Sequence, residues 1–141
     1  VNLIDCISSD ELSWASSALA KAQTIFPRIT PHGLDWADWG TPERWDSNDL
    51  AMVALARRYL TQCTLTKSTQ KQNHALTHQI EEHFKIHGLP THLCDGAPIV
   101  ASIGLKIKVR PSPSSRLDAL IGISLRSVRR LAKFTEELAP S

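Results

Sequence analysis

The chain has 141 residues, 42% of them hydrophobic and 21% charged, enough apolar content for one ordinary domain and against wholesale disorder. Three cysteines, Cys6, Cys63 and Cys94, are odd in number and lack Cys-x-x-Cys spacing, which argues against a disulfide framework and for a reducing compartment. No apolar run approaches the roughly 20 residues of a bilayer span, and the start Val1-Asn2-Leu3-Ile4-Asp5 lacks the basic opening of a secretory signal; the expected location is cytoplasmic.

In chain order, Ser9-Asp10-Glu11 ahead of Leu12, Ala15, Leu19 and Ala22 predicts a capped amphipathic helix over 10–25, stopped at Pro27. An irregular segment follows, Asp35-Trp36-Ala37-Asp38-Trp39, with Trp45 nearby and Thr41-Pro42 suited to one short turn. Ser47-Asn48-Asp49 opens a helix over 49–64, whose Met52, Val53, Leu55, Ala56, Tyr59, Leu60 and Cys63 recur at helical spacing. After a polar stretch, a helix is predicted over 72–87, closed by Gly88. Asp95 reads as the cap of a short helix with Pro98 in its first turn, Ile99, Val100 and Ile103 buried, and Gly104 at its end. Leu105–Arg110 alternates apolar and basic residues, the pattern of a half-buried strand with a basic outer face. A short helix near Arg116–Leu120 and a longer one over 125–137 complete the chain. The predicted fold is mainly α, one compact helical domain spanning 1–141 with at most a small β element near 105–110.

The formal net charge of +2 conceals an asymmetry: residues 1–50 carry eight acids against three bases, whereas residues 105–133 carry eight bases and one acid, Asp118. A basic block of this density points to an anionic partner. Its bases are Lys106, Lys108, Arg110, Arg116, Arg126, Arg129, Arg130 and Lys133. Projected at 100° per residue, Arg126, Arg129, Arg130 and Lys133 share one stripe of the last helix, with Leu125, Val128 and Ala132 opposite.

Residues 114–133 resemble a helix-turn-helix DNA-binding motif. Leu117, Ile121, Ile123, Val128 and Leu131 stand where that family packs its two helices, Gly122 where it turns, and Ser124 where the second helix is capped. The resemblance implies that Leu125, Arg126, Ser127, Arg129 and Arg130 enter the groove. Residues 66–130, in the order Leu76-Thr-His78, Asp95-Gly-Ala-Pro-Ile-Val-Ala, Gly104-Leu-Lys, Ser112-Pro and Gly122-Ile-Ser, are similar to small uncharacterised proteins of bacterial plasmids and prophages. That similarity implies a mobile-element context.

Other constellations are weaker. His74 and His78 stand one turn apart, but spacing fixes no third metal ligand; His83 and His87 read as packing or capping residues. Cys94 precedes a helix start with His92 two residues away, and a buried thiol is the commoner outcome. Asp35, Trp36, Asp38 and Trp39 are candidates for an acidic, aromatic protein-docking surface. No Walker loop, dinucleotide fingerprint, nucleophile elbow or His-Glu-x-x-His is present. The expectation is a non-enzymatic protein, without catalytic residues, metal or cofactor, that binds nucleic acid, double-stranded DNA first, as a regulator or accessory factor of a mobile element. The alternative is a small protein-binding inhibitor or adaptor acting on a nucleic-acid machine such as a host-defence complex.

Overall fold

A computed structural model describes residues 3–35, 44–89 and 92–138, with side chains to Lys133. The fold is mainly α with a small antiparallel sheet: a 3₁₀ turn Leu3–Cys6, α1 Ser9–Ile25, α2 Ser47–Leu60, β1 Lys71–Gln72, α3 Asn73–Ile86, α4 Gly96–Gly104, β2 Val109–Pro111, β3 Ala119–Ile121 and α5 Leu125–Leu138. The expected turn at Thr41-Pro42 lies outside the described residues.

The helices start where side chains satisfy their first N–H groups. Ser8, one residue earlier than expected, caps α1. Its Oγ accepts from the Glu11 N–H at 3.1 Å, and the Glu11 carboxylate accepts from the Ser8 N–H at 3.1 Å. Asp46 and Asp49 form the same reciprocal box at the start of α2, at 2.8 and 3.0 Å. α3 ends at Ile86, and Gly88 just beyond it, with a left-handed φ of +76°, lets the Leu89 N–H reach back to the Phe84 carbonyl at 3.1 Å.

The core forms around α4, whose residues from Gly96 to Ile103 are all buried. α1 lies against it through the small residues Ala15, Ala18 and Ala22, and α2 closes the other side with Val53, Ala54, Leu55, Tyr59 and Leu60. Each fully buried Leu, Ile or Val contributes about 1.5–3 kcal/mol relative to exposure. Arg57 stacks on Trp14, 4.3 Å from the ring centre, at the α1–α2 seam.

Two sequence expectations change here. α2 stops at Leu60 instead of Thr64: the N–H groups of Gln62 and Cys63 tighten to the carbonyls of Tyr59 and Leu60, both at 3.0 Å. The helix expected near Arg116–Leu120 is absent, because Ala119–Ile121 is β3, the central strand of a sheet ordered β1-β3-β2. Ala119 and Ile121 are fully buried with half-buried Leu120 between them, a period-two pattern. Antiparallel partners on both sides, Lys71↔Ile121 and Val109↔Ile121, then take backbone groups that a five-residue helix could not satisfy alone. The expected basic strand is present but its pairing starts later, at Val109. Ile107 is buried, while Lys106, Lys108 and Arg110 are exposed.

Asn73, fully buried at the β1–α3 junction, fastens three elements. Its Oδ1 accepts from the Ala119 N–H at 2.8 Å, and its Nδ2 donates to the Asp95 carbonyl at 3.0 Å.

Two groups make the fold acid-sensitive. Arg58 clamps Glu11 with hydrogen bonds of 2.7 and 2.8 Å, and mainly through them lowers the Glu11 pKa from 4.5 to about 2, against the opposing effect of burial. A depressed carboxylate pKa stabilises the fold above the unfolded value, and that contribution is lost as pH falls through about 2. Burial, then the neighbouring His87, lowers the His83 pKa below 6.5, so protonation of this histidine favours unfolding as pH drops below that value. Thermal melts between pH 7 and 2 should show declining stability in two stages, and Arg58→Met should remove only the lower one. A variant that retained it would contradict the Glu11 assignment.

Candidate nucleic-acid interface

The basic helix α5 is set in place before it begins. Gly122–Ser124 lies alongside Thr64–Thr66: the Ser124 N–H donates to the Thr64 carbonyl at 2.7 Å, the Thr66 N–H to the Gly122 carbonyl at 2.9 Å, and Leu65 pairs with Ile123. On its other side the Gly122 N–H donates to the Lys108 carbonyl at 2.8 Å. A Cβ on Gly122 would stand 2.9 Å from the Thr66 carbonyl oxygen. Close approach of two backbones, not a helix–helix turn, is what requires glycine here. Ser124 caps α5 as its position suggests, its Oγ accepting from the Ser127 N–H at 3.2 Å.

The inner face of α5 packs on α3. Ser127 and Val128 are buried, Leu131 and Ala132 half-buried, and Leu125, expected inside, is 37% exposed. The helix is therefore rotated relative to the expected Leu125–Val128–Ala132 face. Ser127 is buried, and its Oγ donates to the Ser124 carbonyl at 2.7 Å. Its side chain therefore does not stand on the outer side of α5, where the sequence expectation has it entering a groove.

Arg126, Arg129, Arg130 and Lys133 are all exposed on the outer side. Arg129 donates from Nε to the Leu125 carbonyl at 3.3 Å. Among the residues whose side chains are described, up to Lys133, no carboxylate lies within ion-pair distance of these four. The strap and sheet that hold the helix add bases of their own. Lys108 is Gly122's backbone partner, and Arg110 on β2 donates to Thr69 Oγ1 at 2.8 Å. Lys67 follows Thr66 and is exposed; Lys71 on β1 is half-buried, and burial lowers its pKa. Sequence reasoning did not single out Lys67 and Lys71, because the polar stretch around them shows no periodicity and only pairing with residues 121–124 brings it beside the segment that leads into α5. Lys106 stands exposed at the end of α4 with φ +63°.

Arg116 is not part of this stripe. Its Nη2 lies 3.8 Å from Asp35 Oδ2, and Arg28 Nε lies 3.1 Å from Asp35 Oδ1. Asp35, a candidate docking acid, is thus engaged with two arginines; Trp36, Asp38 and Trp39 lie outside the described residues.

The histidines hold elements together. His74 Nδ1 reaches the Asp95 carboxylate at 3.1 Å, which takes that side chain away from the expected capping of α4. His78 approaches Glu81 at 3.6 Å, and His83 packs edge-on against Tyr59. Among the described residues no three His, Cys, Asp or Glu side chains converge to hold a metal ion.

Burial, then nearby Asp49, pushes the Cys94 thiol up to about 12, and burial pushes Cys63 up to about 11. Both are held as thiols at neutral pH, opposite to the requirement of a nucleophile. Iodoacetamide at pH 7.4, a value chosen as about physiological, should label Cys63 and Cys94 far more slowly in the native chain than in urea, as read by peptide mass spectrometry. Equal rates would contradict the burial of these thiols.

No helix among the described residues is long and apolar enough to cross a membrane. No protein-family model matches the chain, and neither a curated protein nor a solved structure is similar to it at a significant level.

Proposed function

We propose that the chain is a non-enzymatic protein that binds duplex DNA through the outer side of α5, as a regulator or accessory factor of a mobile element. The observation that carries the reading is the exposed row Arg126, Arg129, Arg130 and Lys133, on a helix whose opposite side is anchored by Ser127, Val128 and Leu131. A helix is the shape the major groove admits, and arginine forks suit both phosphates and guanine edges. The motif at 114–133 is strand–turn–helix, so α5 keeps the role of reading helix while the Thr64–Thr66 strap supplies the support that a first helix would give. Lys67, Lys108 and Arg110 extend the positive charge onto the strap and the sheet, where they neutralise phosphates without reading sequence. The mobile-element part of the proposal is carried by the sequence resemblance read at residues 66–130 alone, and the comparisons add nothing to it.

Fluorescence anisotropy with labelled duplex DNA, single-stranded DNA and RNA of one length tests this. Duplex should bind tightest and weaken steeply with salt. No binding to any of the three would refute the proposal and favour a protein-directed adaptor.

A further inference from the structure

His74 and His78 stand one turn apart on α3, where residues at this spacing are neighbours on the helix surface. Their rings meet edge to face with centres 4.8 Å apart. Both side chains are more than half open to water, at 55% and 65%. What distinguishes the pair is the acid behind each ring. His74 Nδ1 lies 3.1 and 3.3 Å from the two carboxylate oxygens of Asp95, the residue that precedes α4. His78 Nδ1 lies 3.6 Å from the Glu81 carboxylate, one turn further along α3.

Of the two neutral tautomers of imidazole, a carboxylate facing Nδ1 favours the one that carries its proton there. The lone pair then sits on Nε2, and neither Nε2 has a hydrogen-bonding partner among the described residues. An acid behind the ring and a bare nitrogen in front is the arrangement that orients metal-ligating histidines and makes them more basic. Imidazole nitrogens suit zinc and other divalent transition metals, whereas magnesium and calcium take oxygen ligands. Zinc–nitrogen bonds are about 2.0–2.1 Å long. Rings this close need little movement to share one ion, and their exposure gives each room to turn its Nε2 toward it.

We propose that His74 and His78 form an open, exchangeable site for a divalent transition-metal ion of the zinc kind, with Asp95 and Glu81 positioning the two imidazoles. Two protein ligands are fewer than the three or four of a catalytic or structural zinc site, so water completes the coordination. A bound ion fastens the first turns of α3 and holds the His74 ring against Asp95, which stiffens the junction of α3 with α4. The site shares no residue with α5, so it stands or fails independently of DNA binding.

The test is calorimetric titration of the chelator-stripped full chain with zinc chloride, and with magnesium chloride as the control, followed by thermal melts. Zinc should bind at one site and raise the melting temperature, and magnesium should do neither. His78→Gln should weaken zinc at least about tenfold, because the helix no longer presents a second imidazole at high effective concentration. Asp95→Asn keeps both imidazoles and should cost about tenfold, as expected for loss of the acid behind a ligating histidine. His78 is exposed, so its variant decides the matter if Asp95→Asn does not fold. Absence of saturable zinc binding, equal binding of magnesium, or unchanged zinc affinity in either folded variant would overturn the proposal.

Discussion

Asn73→Ala should lower the stability of the chain by about 2–6 kcal/mol, because it leaves two backbone groups unpaired, each costing about 1–3 kcal/mol. Ala119 is fully buried in the central strand, so its N–H loses its protein partner when Oδ1 is removed. The Asp95 carbonyl loses the amide that ties the start of α4 to the start of α3. For a domain of this size the melting temperature should fall by roughly 6–15 °C. Asn73→Asp keeps the acceptor, loses the donor and buries a charge, so it should be no better than Ala. A fall below about 1 kcal/mol in either variant would show that Asn73 does not hold the sheet to the helices.

Changing Arg126, Arg129 and Arg130 together to Ala should leave the fold intact and weaken duplex DNA binding by roughly 10²–10³-fold at 0.1 M salt, the expected loss for three phosphate contacts. Folding is preserved because all three are exposed, while the anchoring residues Ser127 and Val128 are untouched. Alanine is also the strongest helix former, so α5 loses no intrinsic propensity. An arginine that reads a base edge should instead cost about 1–3 kcal/mol on a preferred sequence and little on random DNA. Ser127→Ala should leave DNA affinity unchanged, since its buried hydroxyl donates to the Ser124 carbonyl.

The helices were legible in the sequence because their causes are local. Apolar spacing with the acids and serines ahead of it places α1 and α2 within a few residues, Gly88 marks the close of α3, and the apolar run after Pro98 places α4. The sheet was not legible: β1 is two residues long, too short for a period, and β3 becomes a strand only through partners at 71–72 and 109–111. Gly122 looked like a turn between helices, whereas its requirement comes from the backbones of Thr66 and Lys108. The row of bases on α5 was readable from a helical wheel, yet the face that the helix buries is set by its packing on α3, an element far away in sequence. For the same reason Arg116 appeared to belong to the basic block, although Asp35 draws it to another surface.

The most direct measurement is the slope of log affinity against log salt for the wild-type chain and the Arg126, Arg129, Arg130 triple-alanine variant, on one random duplex. Each phosphate contact contributes about 0.9 to that slope, so three lost contacts should flatten it by about 2.7. Equal slopes and equal affinities in a variant that melts like the wild type would show that the outer side of α5 is a solvated surface, not a DNA-binding one.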